Sequence, residues 1–438
     1  MISKIIKQIW NQRRTNGWIF IELVITGFFL WTVIEPVYVL MVNRLEPKGY
    51  QEDGRYVVNL GAYGKTHGLR DTTITNAQRK EAFFRISKLV REQPEVESAY
   101  LSLHSSMPNS LSWNGGQFYP DTLSYKEEKY IHAQQYEVLS EAGTDIFHTL
   151  GIKDARTGEE LKMPEDVNTH KTCFVSEQFA KRMFGSIEVV GKEIFDTNIF
   201  YKIAGVFQEI KTRDYSGSYP LVIYFAKDFY MHDYVHKNYF IVFKLKDGVD
   251  FDAFNERFKK EVAPHMNQGN FYFEKFKTFA DMREELGTMN GVYNQLRLKL
   301  SLAAFALLCI FLGMVGTFWI RCNARRQEIG LMRSMGATEG RIRKQFLTEA
   351  GLLVSVAFVF SLLLVVNFVV MADEGMTKQQ VTGYTDFAYV SEWLSPAVQF
   401  GMVSLLTYLS LMLIALVGTF IPVKRASEVL PANALKDE

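Results

Sequence analysis

Four long apolar runs, at 18–42, 300–320, 347–371 and 398–421, constrain this chain more than any other feature. Each is long enough for the ~20 residues with which a helix crosses a bilayer. Hydrocarbon offers no partners to backbone N–H and C=O groups, so such runs must be helical. Residues 43–296, between the first and second runs, have ordinary soluble composition. The pattern predicts an α+β membrane protein with four transmembrane helices in a 1+3 layout and one large aqueous domain. A net charge of +1 over 438 residues argues against binding nucleic acid with the protein as a whole.

The first run contains Glu22 and Glu35. Its 15 Ile, Leu, Val and Phe residues each favour insertion by ~0.3–0.6 kcal/mol. Two central acids would cancel that gain, but both lie towards the ends, and Glu35 stands beside Pro36. The run is therefore read as an inserted helix kinked near Pro36, and as an uncleaved signal anchor because no small-x-small cleavage site follows. Basic residues set the orientation. Residues 1–17 carry Lys4, Lys7, Arg13 and Arg14 and no acid. The 321–346 loop has seven basic residues, and Lys424 and Arg425 follow the last run. The 372–397 loop instead carries Asp373, Glu374, Asp386 and Glu392 against a single Lys. The termini (1–17 and 422–438) and the 321–346 loop are thus cytoplasmic, with 43–296 and 372–397 outside. Cys173 is the one external cysteine, so the outer domain must hold together without an internal disulfide.

Within the outer domain, 76–93 shows helical apolar spacing, Pro94 stops it, and VESAYLSL follows as a strand. YFIVFKL, DFDAFNERFKKEVAPHM and NFYFEKF repeat that alternation of strand and helix near the end of the domain. Together they predict a split α+β sandwich, with helices on one sheet face. Its two parts lie at about 43–135 and 211–290, with a β-rich subdomain inserted at about 136–210. GKT in NLGAYGKTHG resembles a phosphate loop, but Asn59 stands where the motif needs its first Gly. A turn is the better reading. His232 and His236 have zinc-helix spacing, yet Asp233 replaces the usual Glu and no third ligand is marked, so no metal site is assigned.

The cytoplasmic loop RCNARRQEIGLMRSMGATEGRIRKQF can be read as a DNA-binding helix-turn-helix, a lipid-surface helix or a docking element. Tethers at both ends keep it from a DNA groove, and its apolar face is small for lipid. As a docking helix it would run from Glu328 to Met335, with Gly336 as its C-cap and Thr338 capping the next helix into the third span. Ile329, Met332 and Met335 would share one side. Gly313 and Gly316 in the second span are candidates for close packing, including at a dimer interface. The three later spans contain almost no ionisable groups, which disfavours a charged pore. Glu349 and Asn367 are the exceptions, read as helix-end or interhelical partners.

EIGLMRSMGATEGRIRKQFLTEAGLL resembles the signature of MacB/FtsX-like ABC-transporter permeases. So does the tail, with Pro422, Ala426, Pro431, Ala434 and Leu435, and so do YEVLSEAGTDIFHTLGI and CFVSEQFAKRMFG in the outer domain. The TGEEL stretch at 157–161 departs from the family pattern. The resemblance implies a bacterial inner-membrane permease, not itself an enzyme, that pairs with a second copy or a paralogue. A separate pair of cytoplasmic ABC ATPase subunits would bind ATP and Mg and seat on Glu328, Ile329, Gly330, Leu331, Met332, Arg333, Met335 and Gly336. It further implies work done in the periplasm by mechanotransmission, with an adaptor or effector there as a further partner. Export of a peptide, lipoprotein or small amphiphile is the leading expectation. Control of a cell-wall hydrolase and sensing of antimicrobial peptides are the alternatives within the family, and a periplasmic metalloprotease built on His232 and His236 is the alternative outside it.

Overall fold

The computed structural model describes residues 13–428 except 65, 104–105, 112–113, 140–142, 163–170, 227–238 and 372–394. His232, His236, the 372–394 stretch and the motif residues Pro431, Ala434 and Leu435 lie outside the described residues. In chain order the elements are α1 (Arg13–Leu45), β1 (Arg55–Ala62), α2 (Asn76–Arg91), β2 (Val96–Leu103), β3 (Gly115–Phe118), α3 (Thr122–Lys126) and β4 (Ile131–Leu139). Next come α4 (Ile146–Leu150), β5 (Thr172–Ser176), α5 (Glu177–Phe184), β6 (Glu193–Phe195), β7 (Phe200–Phe207), β8 (Leu221–Ala226) and β9 (Phe240–Leu245). The chain continues as α6 (Phe251–Glu261), β10 (Phe271–Thr278), α7 (Phe279–Met289) and α8 (Val292–Ala324). It closes with α9 (Arg326–Ser334), α10 (Glu339–Met371) and α11 (Pro396–Ser427). Two compact units result, one made of the long helices with α9, the other of Asn43–Gly291.

Four helices among the described residues, α1, α8, α10 and α11, are long and apolar enough to cross a membrane. Each extends beyond its apolar run, and α1 continues unbroken through Pro36. Ile19, Leu23, Ile310, Met314, Phe346, Leu353, Val354, Leu411 and Ala415 interlock as the buried centre of the bundle. Both acids of α1 turn inward. Glu35 is buried, and its Oε1 accepts from Gln399 Nε2 of α11 at 2.6 Å. Glu22 lies against Gly313 of α8, where an added Cβ would come within 2.5 Å of the carboxylate. Gly313 thus makes room for a side chain of its own protein, whereas Gly316 faces open space.

The outer unit is built on one ten-stranded mixed sheet with the order β10-β1-β9-β2-β4-β8-β5-β7-β6, and β3 pairs with β4. The first four positions are antiparallel and interleave two β-α-β units. The expected inserted subdomain at 136–210 is not a separate body. Its strands β5, β7 and β6 extend the same sheet through β8, which lies parallel to β4. The helices of the two β-α-β units, α2 and α6, lie on one face as expected, and α4 and α7 cover the other. Strand residues alternate between faces. Val58, Leu101, Leu139 and Phe243 pack under α2 and α6 through Phe83, Ile86, Phe254 and Phe258. Their neighbours Val57, Tyr100, Val138 and Val242 pack with Ile146 and Phe147 of α4 and Phe279 and Met282 of α7 on the other. Local signals set the boundaries. Thr75 and Gln78 form a reciprocal cap at the start of α2, and Pro94 follows its end. Gly64 of the GKT stretch comes just after strand β1.

One surface node of this unit is pH-sensitive. His148 of α4 sits between two carboxylates, with Nδ1 2.6 Å from Glu160 and Nε2 2.9 Å from Glu97, which also binds Lys244. The hydrogen bond that His148 donates to Glu160 is the main reason that the imidazole pKa lies above its ordinary value. A raised folded-state pKa stabilises the protein fully below the unfolded value of ~6.5 and loses that contribution as pH rises through the folded value. We therefore expect the melting temperature of the outer domain to fall from pH 6 to pH 8.5 more steeply in the parent than in His148→Gln, measured in parallel thermal scans. Equal slopes would rule out this node as a source of pH dependence.

Candidate functional site

The turn between α8 and α10 concentrates charge at one end of the bundle. Helix α9 starts one residue after α8, with Arg325 between them. Arg325 lacks a side chain that could cap the helix, and it organises the site by another route. Its Nε and Nη2 donate to the two oxygens of Glu328, at 2.7 and 3.0 Å, a two-pronged pair that closes the first turn of α9. That bond is the first cause holding the Glu328 carboxyl below its ordinary range. Arg325 Nη1 also donates to Glu349 Oε2 of α10 at 3.4 Å, and its guanidinium lies 4.7 Å from the Phe346 ring centroid.

Glu349 takes a second cation from α8. Arg321 Nη1 stands 3.3 Å from Glu349 Oε1, an ion contact without the direction of a hydrogen bond, while its guanidinium lies over Phe318. Glu349 is 2% exposed, Arg321 6% and Arg325 8%. Two cations and two carboxylates therefore form a neutral quartet, and three of its members are buried. A charge in such a setting is tolerated only when paired. The quartet joins the end of α8, the start of α9 and the first half of α10. Around it, Arg343 of α10 donates to Ser427 Oγ at 2.8 Å and pairs with Glu339, and Arg425 lies over Trp319. These contacts bring the end of α11 into the same assembly.

The far end of α9 is set by its backbone. Gly336 has φ +91°, its N–H donates to Arg333 O, and the next N–H, of Ala337, donates to Met332 O. This pair of bonds is a Schellman closure, which requires a left-handed residue after the cap. Thr338 Oγ1 then accepts from Arg341 N and begins α10.

The expected docking residues divide between two faces. Ile329 and Gly330 are buried, and Met332 packs on the bundle core. Arg333 is half-turned inward and pairs with Glu339 at 3.4 Å. Leu331 and Met335 are 53% and 72% exposed. The expectation that Ile329, Met332 and Met335 share a side is thus corrected. The first two anchor α9, and Met335 comes after the last helical turn, where the chain has begun to reverse. Leu331, Ser334 and Met335 make the outward surface together with Gln327, one turn before Leu331. Sequence reasoning missed the quartet. The sequence presents Glu349 as a helix-end or interhelical partner, but spacing in one helix does not name cations in another. Asn367 Nδ2 donates to Leu363 O of its own helix at 2.8 Å.

A family model described as the MacB-like periplasmic core domain matches residues 53–261, and one described as FtsX-like permease C-terminal matches residues 300–431. The second spans the quartet, α9 and the three later membrane helices. The chain belongs to the MacB/FtsX-like permease family. It is an ABC transporter permease, a multi-pass protein of the inner membrane with a periplasmic domain between its first and second spans. Its relatives include the macrolide export ATP-binding/permease protein MacB of Chromobacterium violaceum, 25% identical over 73% of this chain and 46% of that protein. The pyoverdine export ATP-binding/permease protein PvdT of Pseudomonas aeruginosa is 24% identical over 51% of this chain and 34% of its own length. An uncharacterized ABC transporter permease of Methanocaldococcus jannaschii is 22% identical over 74% of this chain and 75% of its own. The chain thus spans less than half the length of the two named exporters.

In this permease, Glu349→Gln keeps the shape of the side chain and leaves Arg321 and Arg325 without their shared anion. Removing one partner of a buried ion pair costs about 3–5 kcal/mol. The variant should lose amide protection across 326–334 in hydrogen exchange while β2 and β9 of the periplasmic domain stay protected. Unchanged protection in α9 would show that the quartet does not hold the helix.

Proposed function

We propose that this permease couples ATP hydrolysis in separate cytoplasmic ABC ATPase subunits to conformational work in the periplasm. The observation that carries the reading is the two-sidedness of α9. One side is fixed to three spans through Ile329, Met332 and the Arg321–Arg325–Glu328–Glu349 quartet, and the other presents Leu331 and Met335 to the cytoplasm. A short rigid helix with exposed apolar residues amid polar neighbours is a surface for a protein partner. The names of two relatives, which join ATP binding and permease functions, support an ABC ATPase as that partner, with ATP and Mg bound there.

The work is export by mechanotransmission. The spans move as levers, and cargo is handled on the periplasmic side. The two exporters named above act on chemically unlike molecules, a macrolide and pyoverdine. Cargo choice therefore belongs to the periplasmic domain and whatever adaptor it engages, and its class here is a peptide, lipoprotein or small amphiphile. Pairing with a second copy or a paralogue gives each ATPase of a pair one α9.

Leu331→Asp tests the docking surface without altering the anchored side. Gly330→Asp would also bury a charge and is the poorer variant. With the full chain in membranes and an ABC ATPase of the same host co-expressed, Leu331→Asp should lower co-purification of the ATPase at least about tenfold, the scale of a hot-spot residue at 1.4 kcal/mol or more. Thermal unfolding of the periplasmic domain should not change. Full retention of the ATPase would place docking elsewhere.

A further inference from the structure

The periplasmic unit contains a polar cluster at the two places where its chain adjoins membrane helices. One is 43–52, the end of α1 and the residues after it. The other is 279–291, comprising α7 and the two residues before α8. The segment 209–219 has contacts with both.

Lys211 is the centre on the α1 side. It is 1% exposed, and its Nζ donates to the Asn43 carbonyl and pairs with Glu46 at 2.8 Å. Its backbone N–H donates to Lys48 O at 2.8 Å, and Asn43 Nδ2 donates to Tyr215 O at 3.3 Å. Gly49 brings the two backbones together. It has φ +73°, and a Cβ there would lie 1.8 Å from Glu209 O, so only glycine fits. On the α7 side, Arg283 pairs with Asp214 and, at 3.2 Å, with Glu52. Asn290 Nδ2 donates to Tyr215 Oη at 2.6 Å. Asp214 also stands 4.0 Å from Lys48, and Tyr50 Oη donates to Glu52 Oε1 at 3.0 Å. Tyr215 and Asp214 therefore each touch both segments.

A buried lysine is an expensive way to stabilise a domain, since an apolar side chain of similar volume would do as well or better. What paired charges provide here is a fixed register among three segments that are far apart in sequence. We infer that segment 209–219 is a joint, with Lys211, Asp214 and Tyr215 as positioning residues. It ties the stretch after the first span to the stretch before the second, so that the two drive the periplasmic sheet as one body. The inference rests on the proposed transmission of work, and it assigns that transmission to residues that no docking argument involves.

Spatial bridging alone does not establish coupling, so the test has two arms. The first uses the full-length permease without ATPase. Lys211→Met should raise hydrogen exchange about tenfold in 43–52 and in 279–291 together. Arg283→Gln, at a more accessible position, should have the same paired effect, and Lys211→Arg, which keeps the cation, should hold protection closer to the parent than Lys211→Met does. Opening of one segment with the other unchanged in both variants would overturn the joint, whatever the ATPase does. The second arm compares the permease–ATPase complex with and without a non-hydrolysable ATP analogue. In the parent, nucleotide should alter exchange in α9 and in the periplasmic sheet. In Arg283→Gln the α9 response and the ATPase rate should persist, while the sheet response falls at least about fivefold. A sheet response of parental size in Arg283→Gln would overturn the inference and leave the proposed function standing. A parent whose sheet ignores nucleotide would overturn the proposed function and the joint with it.

Discussion

A single carboxylate, Glu349, shared by the guanidiniums of Arg321 and Arg325, holds together the cytoplasmic end of this permease. Each cation comes from the chain just before α9, and the anion comes from the helix just after it. Because all three are buried, separating them would leave charge without water or partner, and the arrangement resists bending for that reason. The apolar contacts of Ile329 and Met332 add area but little direction. The ion quartet supplies the direction, fixing the angle at which α9 leaves the bundle and so which of its residues face outward.

The features legible in the sequence are those with a one-dimensional signature. Membrane helices announce themselves by length and apolarity, and the basic residues of 321–346 give the orientation. Gly336 and Thr338 mark a helix stop and start through backbone rules that need no tertiary knowledge. The alternation of strand and helix at both ends of the periplasmic domain was readable for the same reason. Features that depend on what lies opposite were not. The strands β5, β6 and β7 looked like an inserted subdomain because their separation in sequence hides the parallel pairing of β4 with β8. Glycine in an apolar helix gives no hint of its neighbour, so the role of Gly313 beside Glu22 was invisible. The orientation of α9 was misjudged in part because Ile329, Met332 and Met335 obey helical spacing, whereas the helix closes at Ser334 before Met335 can complete the stripe.

The two units solve the burial of polar groups in different ways. In the bundle, acids survive by facing a glycine, a glutamine or a pair of arginines. In the periplasmic unit, a sheet apolar on both faces provides most of the stability, and Cys173 is simply one more buried side chain in its core. Ionic clusters of this unit include one around Lys211 and Arg283 and one at the surface around His148.

The closure at Gly336 has a consequence for how such a protein can change partners. Because α9 is terminated by backbone torsions and held by inward side chains, its span does not depend on what Leu331, Ser334 or Met335 happen to be. On the proposed reading, those positions could be rewritten to suit a different ATPase while the helix they decorate keeps its length and tilt. Such a helix would separate the choice of partner from the geometry by which the partner is held.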